Sequence, residues 1–115
     1  MKKRHEVFLA HMIEALEKIE RYIKGYKRAD FLVDEKTIDA VVRQFEIIGE
    51  AASKIPKFLV KDSPVPWTSI VSLRNRLIHE YFGVDYDIVW KTAKEGLGEL
   101  DAYLKKKLHT LESKK

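Results

Sequence analysis

The sequence predicts an all-α fold, an up-and-down bundle of four or five helices formed by one domain over residues 1–115. Apolar residues recur at intervals of three and four, which is the period of helices that bury one face. The 5 glycines and 3 prolines cluster where this periodicity breaks, and no stretch shows a useful strand-like alternation. A chain of 115 residues can bury one modest core without metal or disulfide cross-links.

The first two predicted helices each carry a continuous apolar face. The first ends near Gly25, before the polar residues 27–30. The second begins at Asp34, a good N-cap, and ends before Pro56, since the residue before a proline disfavours helix. The two faces consist of Phe8, Met12, Ala15, Ile19, Tyr22 and Tyr26 in the first helix and of Ile38, Val41, Val42, Phe45, Ile48 and Ala52 in the second.

A connection over residues 57–66, with a helical turn near 57–60, precedes the last two predicted helices. The third helix should span 66–82, with Gly83 as its left-handed stop. The fourth begins at Asp85 and continues through Leu111, with Gly96 and Gly98 inside it. A glycine within a helix costs about 1 kcal/mol relative to alanine, so we expect a kink or a close backbone approach there.

Composition excludes several classes of function. There are no cysteines, no histidine and carboxylate spacing typical of a metal site, and no glycine-rich phosphate loop. No apolar run is long enough to span a membrane, which predicts a soluble, cytoplasmic protein. The net charge of +4 arises in residues 1–4 and 105–115, which we interpret as flexible, solvated tails, and the body between them is slightly acidic. His5, His11 and His109 are predicted to be solvated surface residues.

The C-terminal half of the third helix is unusually rich in residues that can do chemistry. It carries Arg74, Asn75, Arg76, His79 and Tyr81 within eight positions. Asn75 is four positions before His79 and could orient its ring, and Arg76 could pair in the same way with the glutamate at position 80. Arg74 and His79 differ by about 140° around a straight helix, so they flank a groove or meet across a dimer axis. The alternative is an amphipathic helix with ordinary surface charges.

This segment resembles the RX4HXY motif of the HEPN superfamily, in the form found in HepT-like toxins. Arg74, His79 and Tyr81 match the motif itself, and the resemblance extends over about residues 5–110. It includes Pro66-Trp67 before the helix, the run from Leu77 to Asp85, Ile88-Val89-Trp90 after it, and the upstream segments 39–41 and 45–52.

The resemblance implies a homodimer in which two motifs face one another, and an endoribonuclease that cleaves RNA, including tRNA, without a metal or other cofactor. Arg74 and His79 would be catalytic, with Asn75 orienting His79 and Arg76 contacting RNA phosphate or only pairing with Glu80. Tyr81 would accept AMP from a cognate MntA-like minimal nucleotidyltransferase antitoxin, or would simply be a half-buried aromatic residue. The alternative function is a non-catalytic, nucleotide- or substrate-binding subunit that docks a nucleotidyltransferase. Asp39, Arg43, Glu46 and Glu50 form a polar ridge without an assigned role.

Overall fold

The computed structural model describes residues 4–113, and within this range the chain forms helices and no strand. The prediction of an all-α bundle is confirmed. Two short 3-10 turns lie at Lys57–Leu59 and Tyr81–Gly83, the first of them where a helical turn was predicted. The six α-helices are α1 (Arg4–Tyr22), α2 (Arg28–Leu32), α3 (Glu35–Ser53), α4 (Trp67–His79), α5 (Tyr86–Glu95) and α6 (Gly98–Ser113).

The core forms where α1 and α3 pack against each other, with α6 on the outer side of α1 and α4 against α3. The apolar positions predicted for α1 and α3 supply most of it. The residues that are fully buried in this core include Leu9, Met12, Ile19, Phe31, Val41 and Leu104. Because α4 buries only Trp67, Ile70 and Leu77, most of its surface remains exposed.

Asp34 caps α3 as the sequence predicts. Its Oδ1 accepts a hydrogen bond from the Thr37 backbone N–H at 3.0 Å. Its Oδ2 accepts from the Tyr26 hydroxyl at 2.5 Å and from the Thr37 hydroxyl at 2.8 Å. These bonds, that of Tyr26 first, stabilise the carboxylate and lower the pKa of Asp34. The cap therefore also fastens the chain after α1 to the start of α3.

Two polar contacts join segments that are distant in sequence. Arg28 of α2 donates two hydrogen bonds to the carboxylate of Asp87 in α5, one of them from Nη2 at 2.7 Å. The Tyr103 hydroxyl of α6 donates to Asp62 Oδ1 at 2.6 Å and holds the connection before α4 against the bundle. Both pairs are exposed, so their contribution is mainly to position segments rather than to add stability.

The third predicted helix ends earlier than expected, and the expected left-handed stop at Gly83 is wrong. α4 ends at His79, and the Gly83 N–H then bonds the Glu80 carbonyl at 2.9 Å, so the chain tightens into a 3-10 turn. Among residues 4–113 only Gly25 has a positive φ, at 80°, where the chain turns after α1. Tyr81 therefore lies in a turn and not on the helix that carries His79.

The single fourth helix is also wrong, because the chain breaks between α5 and α6. Gly96 closes α5, with its N–H donating to the Thr92 carbonyl at 2.9 Å, and α6 begins at Gly98. The low helix propensity of glycine produces a new helix start here rather than a kink within one helix.

The basic segment 105–113 is not the flexible, solvated tail that was expected. It is part of α6, in which Lys105 Nζ lies 3.0 Å from Asp101 Oδ2 and 3.5 Å from Glu17 Oε2. Lys107 Nζ lies 3.3 Å from Asp62 Oδ1. Lys2, Lys3, Lys114 and Lys115 of the predicted tails lie outside the described residues.

Candidate active site at the end of helix α4

Arg74 is held against α3 and does not extend freely into solvent. Its Nη2 donates to Glu50 Oε1 at 2.9 Å, and its Nη1 donates to Asn75 Oδ1 at 2.7 Å. The side chain is 19% exposed, whereas that of Glu50 is 54% exposed. The guanidinium is thus fixed at both terminal nitrogens and is partly accessible to solvent.

Gly49 explains how α4 can lie so close to α3 at this point. A Cβ at position 49 would lie 2.1 Å from Arg74 Cβ, 2.9 Å from Arg74 Cγ and 3.1 Å from the Ile70 carbonyl oxygen. No side chain larger than hydrogen fits this gap without moving one of the helices. The first part of the Arg74 side chain therefore rests on the backbone of α3, and the next residue along α3 is its partner Glu50.

His79 is the last residue of α4, and its side chain is exposed. Since α4 is continuous from Trp67 to His79, Arg74 and His79 project about 140° apart and lie about 7.5 Å apart along the axis. Arg74 turns toward α3 and His79 turns away from it. One helix therefore presents the two groups on different sides, as the sequence predicts.

Asn75 does not take the position that was expected for it. The hydrogen bond of its side chain goes to Arg74, and residues 4–113 contain no hydrogen bond between Asn75 and His79. The reason is that the Arg74 guanidinium folds back alongside α4 and offers Asn75 a charged donor. The geometry therefore favours a role for Asn75 in fixing Arg74 and not in orienting His79.

Arg76 is exposed and makes no ion pair with Glu80 within the part of the chain that the structure describes. Glu80 follows the end of α4, with φ −121° and ψ 37°, so its side chain leaves the helical position that an i,i+4 pair requires. Of the two roles expected for Arg76, the pairing role is wrong. Its positive charge stays available to a ligand.

Tyr81 is 72% exposed in the turn that follows α4, so the alternative of a half-buried aromatic residue is wrong. Its ring meets that of Phe82 edge to face, with 5.8 Å between the centroids. Phe82 is itself 83% exposed, and exposed apolar side chains continue around this end of the molecule at Ile78, Tyr86 and Ile88. A concentration of this kind is typical of a surface that binds another macromolecule.

Of the three histidines predicted to be solvated, His11 and His109 are exposed, but His5 is half-buried with its Nδ1 atom enclosed. Between residues 4 and 113 there is no group of histidine, aspartate and glutamate side chains that could hold a metal ion. Over the same range no helix is long and apolar enough to cross a membrane.

Two residues of the site, Gly49 and Glu50, were not recognised from the sequence as belonging to it. Both lie within the extended resemblance over residues 45–52, and Glu50 is also one member of the polar ridge on α3, but neither was assigned a role at the site. A glycine that directly precedes a carboxylate in the middle of a helix is a signal that could have indicated a close helix crossing with a charged partner.

Comparisons with known proteins identify the family of the chain. A family model for HepT-like proteins, described as ribonuclease HepT-like, matches residues 12–107. A protein of Thermococcus cleftensis named "Probable ribonuclease HepT" is 42% identical over 107 residues, which cover 92% of this chain and 97% of that protein. A protein of Caldanaerobacter subterraneus subsp. tengcongensis named as an RNase is 42% identical over 99 residues, 85% of this chain and 88% of its own length. No solved structure matches the chain significantly.

Proposed function

The chain belongs to the HepT-like family and is a ribonuclease, and we propose that it cleaves RNA with Arg74 and His79 as the toxin of a toxin–antitoxin pair. The observation that carries this proposal is the Arg74 guanidinium, held between Glu50 and Asn75 on the same helix end as an exposed histidine. A fixed guanidinium can bind a phosphate through two N–H groups, and a solvent-accessible imidazole can transfer a proton near neutral pH.

The chemistry requires one base and one acid. His79 takes the proton of the ribose 2′-hydroxyl, the 2′ oxygen forms a bond to phosphorus, and the bond from phosphorus to the 5′ oxygen breaks. A second histidine gives a proton to the leaving 5′ oxygen, so that the products are a cyclic phosphate and a free hydroxyl. Arg74 stabilises the negative charge on the phosphoryl oxygens. Each proton transfer by a positioned acid or base raises the reaction rate by about 10²–10⁴-fold, and this chemistry needs no metal.

A homodimer supplies the second histidine. Because Arg74 and His79 point about 140° apart on one helix, a second copy of α4 that faces the first can bring His79 of one protomer toward Arg74 of the other. The exposed apolar residues beside the motif, Phe82 and Ile78 among them, support this arrangement because they would be covered in the dimer. The slightly acidic body of the chain does not attract RNA, but in the dimer two copies of Arg74 and Arg76 supply the positive charge that RNA binding needs.

The test of this proposal is cleavage of cellular RNA, including tRNA, by the purified protein in EDTA. The wild type should cleave, and Arg74→Ala and His79→Ala should each lose about 10²-fold or more of the rate. His109→Ala is the matched control, since His109 is an exposed histidine on α6, and it should behave as wild type. An RNA with a 2′-deoxy sugar at the cleaved position should resist. Equal activity in wild type and both site variants would contradict the assignment, as would no activity in any of them.

Neutralisation of the toxin is proposed to occur at Tyr81. The hydroxyl group lies on an exposed turn two residues after His79, where a cognate MntA-like nucleotidyltransferase could reach it. The phenol oxygen would attack the α-phosphate of ATP, pyrophosphate would leave, and the phenol proton would pass to solvent or to a base of the transferase. The added AMP carries an anionic phosphate and a bulky nucleoside, which would compete with RNA for Arg74 and Arg76.

Intact mass after incubation with ATP and the cognate nucleotidyltransferase tests this modification. Wild type should gain mass in steps of one AMP and lose RNase activity in parallel, while Tyr81→Phe should gain none and remain active. Tyr86→Phe, which removes the hydroxyl of another exposed tyrosine five residues away, should be modified normally. A mass gain that persists in Tyr81→Phe would assign the acceptor to another residue.

A further inference from the structure

We propose that Glu50 is a positioning residue of the active site: it holds the Arg74 guanidinium in the orientation in which it meets the scissile phosphate. This inference rests on the proposed ribonuclease function and adds to it a residue from a different helix. The contact between Arg74 Nη2 and Glu50 Oε1, at 2.9 Å, is the one ion pair that Arg74 makes within residues 4–113.

The hydrogen bonds of Arg74 show which of its N–H groups are already used. A guanidinium carries five N–H groups, one on Nε and two on each terminal nitrogen. Nη2 gives one to Glu50 and Nη1 gives one to Asn75. Nε is buried and has no hydrogen-bond partner within residues 4–113. One N–H on each terminal nitrogen therefore remains, which is the number that a bidentate phosphate contact uses.

The two contacts restrain different motions. Asn75 is the neighbour of Arg74 in sequence, so its hydrogen bond holds the guanidinium to α4 alone. Glu50 belongs to α3, 24 residues away in sequence, so its hydrogen bond holds the guanidinium to a second helix. Without Glu50, the end of a long side chain would have to be ordered on each binding event, and arginine has up to about 2 kcal/mol of side-chain entropy to lose.

Glu50 is negatively charged, so it is unlike a residue that simply helps to bind RNA. A carboxylate 2.9 Å from Arg74 reduces the positive potential that a phosphate experiences, so removal of the charge alone should not weaken ground-state binding. A positioning role therefore predicts a loss in kcat, whereas competition between the carboxylate and the phosphate predicts a fall in KM. The two effects can be separated with one pair of variants.

The experiment compares Glu50→Ala and Glu50→Gln with wild type, using one RNA substrate, and measures kcat and KM separately. Glu50→Ala removes the acceptor and should lower kcat by about 10- to 100-fold, the scale of a displacement near 1 Å, with KM changed little. Glu50→Gln keeps an acceptor oxygen at the same reach and should recover most of kcat. Glu46→Gln is the matched control: Glu46 lies one turn earlier on α3 and pairs with Arg43 at 3.4 Å, and its loss should leave both constants at the wild-type values.

A readout that does not depend on activity accompanies the kinetics. In ¹⁵N-edited NMR spectra the Nη2 protons of Arg74, assigned with Arg74→Lys, should show hindered rotation in wild type and in Glu50→Gln and free rotation in Glu50→Ala. Unchanged kcat in Glu50→Ala, with or without a lower KM, or hindered rotation of the Nη2 protons that persists in Glu50→Ala, would each overturn the proposal. A wild-type protein that cleaves no RNA would contradict the proposed function instead, and the NMR comparison would still decide whether Glu50 immobilises Arg74.

Discussion

Replacement of Gly49 by alanine adds a single methyl group at the point where α3 and α4 are closest. The new Cβ would lie 2.1 Å from Arg74 Cβ. Carbon atoms in van der Waals contact are about 3.5–4.0 Å apart, so the helices must separate locally by about 1.5 Å. Rotation of the arginine cannot relieve this clash, because Arg74 Cβ is fixed to the backbone of α4. The Ile70 carbonyl oxygen, also on α4, would lie 3.1 Å from the new Cβ and adds a second close contact.

The expected result is a loss of both stability and activity. Overpacking of this kind costs about 1–3 kcal/mol in the free energy of unfolding, against which the higher helix propensity of alanine returns about 1 kcal/mol. We therefore expect a net destabilisation of up to about 2 kcal/mol. Activity should fall much further, by about 10²-fold, because a displacement of about 1 Å moves Arg74 away from Glu50 and from the phosphate.

Urea denaturation followed by circular dichroism measures the first effect, and RNA cleavage under conditions where the variant is fully folded measures the second. Gly98→Ala is the control, because a Cβ at position 98, at the start of α6, would meet no atom within 4 Å. That variant should be as stable as wild type or slightly more stable, with wild-type activity. A Gly49→Ala protein with wild-type stability and wild-type cleavage would refute the argument that this close approach positions Arg74.

Three further outcomes are expected. Trp67→Phe should lower the free energy of unfolding in urea by about 1–3 kcal/mol, because the Trp67 Nε1–H that donates to the buried Ala52 carbonyl at 2.9 Å is lost; unchanged stability would contradict this. Asp34→Asn should be less stable than wild type at neutral pH. Because the pKa of Asp34 is lower in the folded than in the unfolded protein, its carboxylate stabilises the fold above the unfolded-state pKa of about 4, and this stabilisation is lost as the pH falls through the folded-state pKa. The difference between the two proteins should therefore shrink below about pH 4, and a difference that does not depend on pH would point to another cause. Phe82→Ser should weaken the proposed homodimer roughly 10³-fold in sedimentation equilibrium, because each of the two protomers loses about 2 kcal/mol of aromatic burial. The thermal midpoint of the monomer should not fall, and an unaltered dimer would place the interface elsewhere.

The core and the starts of α3 and α5 could be predicted from the sequence because each follows from local patterns, whereas α2 and the start of α6 were not predicted. The apolar spacing in α1 and α3 identified residues such as Met12 and Val41, which are fully buried. The carboxylates of Asp34 and Asp85 begin α3 and α5 as expected, each accepting a hydrogen bond from a backbone N–H in the first turn. Capping and periodicity need information from only a few neighbouring residues, and tertiary packing did not override it here.

The helix ends and the surroundings of Arg74 could not be predicted in the same way. Whether the chain after His79 continues as α-helix or tightens into a 3-10 turn depends on which N–H reaches the Glu80 carbonyl, and propensities differ too little to decide that. The contact between Glu50 and Arg74 spans 24 residues and exists only because Gly49 lets two helices approach. Asn75 was assigned to His79 from spacing alone, and this long-range arrangement gave it a different partner.

The two tryptophans of the chain lie in separate parts of the bundle, and this makes them natural optical reporters. Trp67 packs where α4 meets the end of α3, with its indole bonded to the Ala52 carbonyl. Trp90 of α5 packs against Phe31 of α2, with 5.3 Å between the ring centroids. A single-tryptophan variant made with Trp90→Phe would therefore follow the α3–α4 contact by fluorescence alone. With it, the time course of RNA or nucleotidyltransferase binding could be recorded at the helix that carries the active site, without an added label.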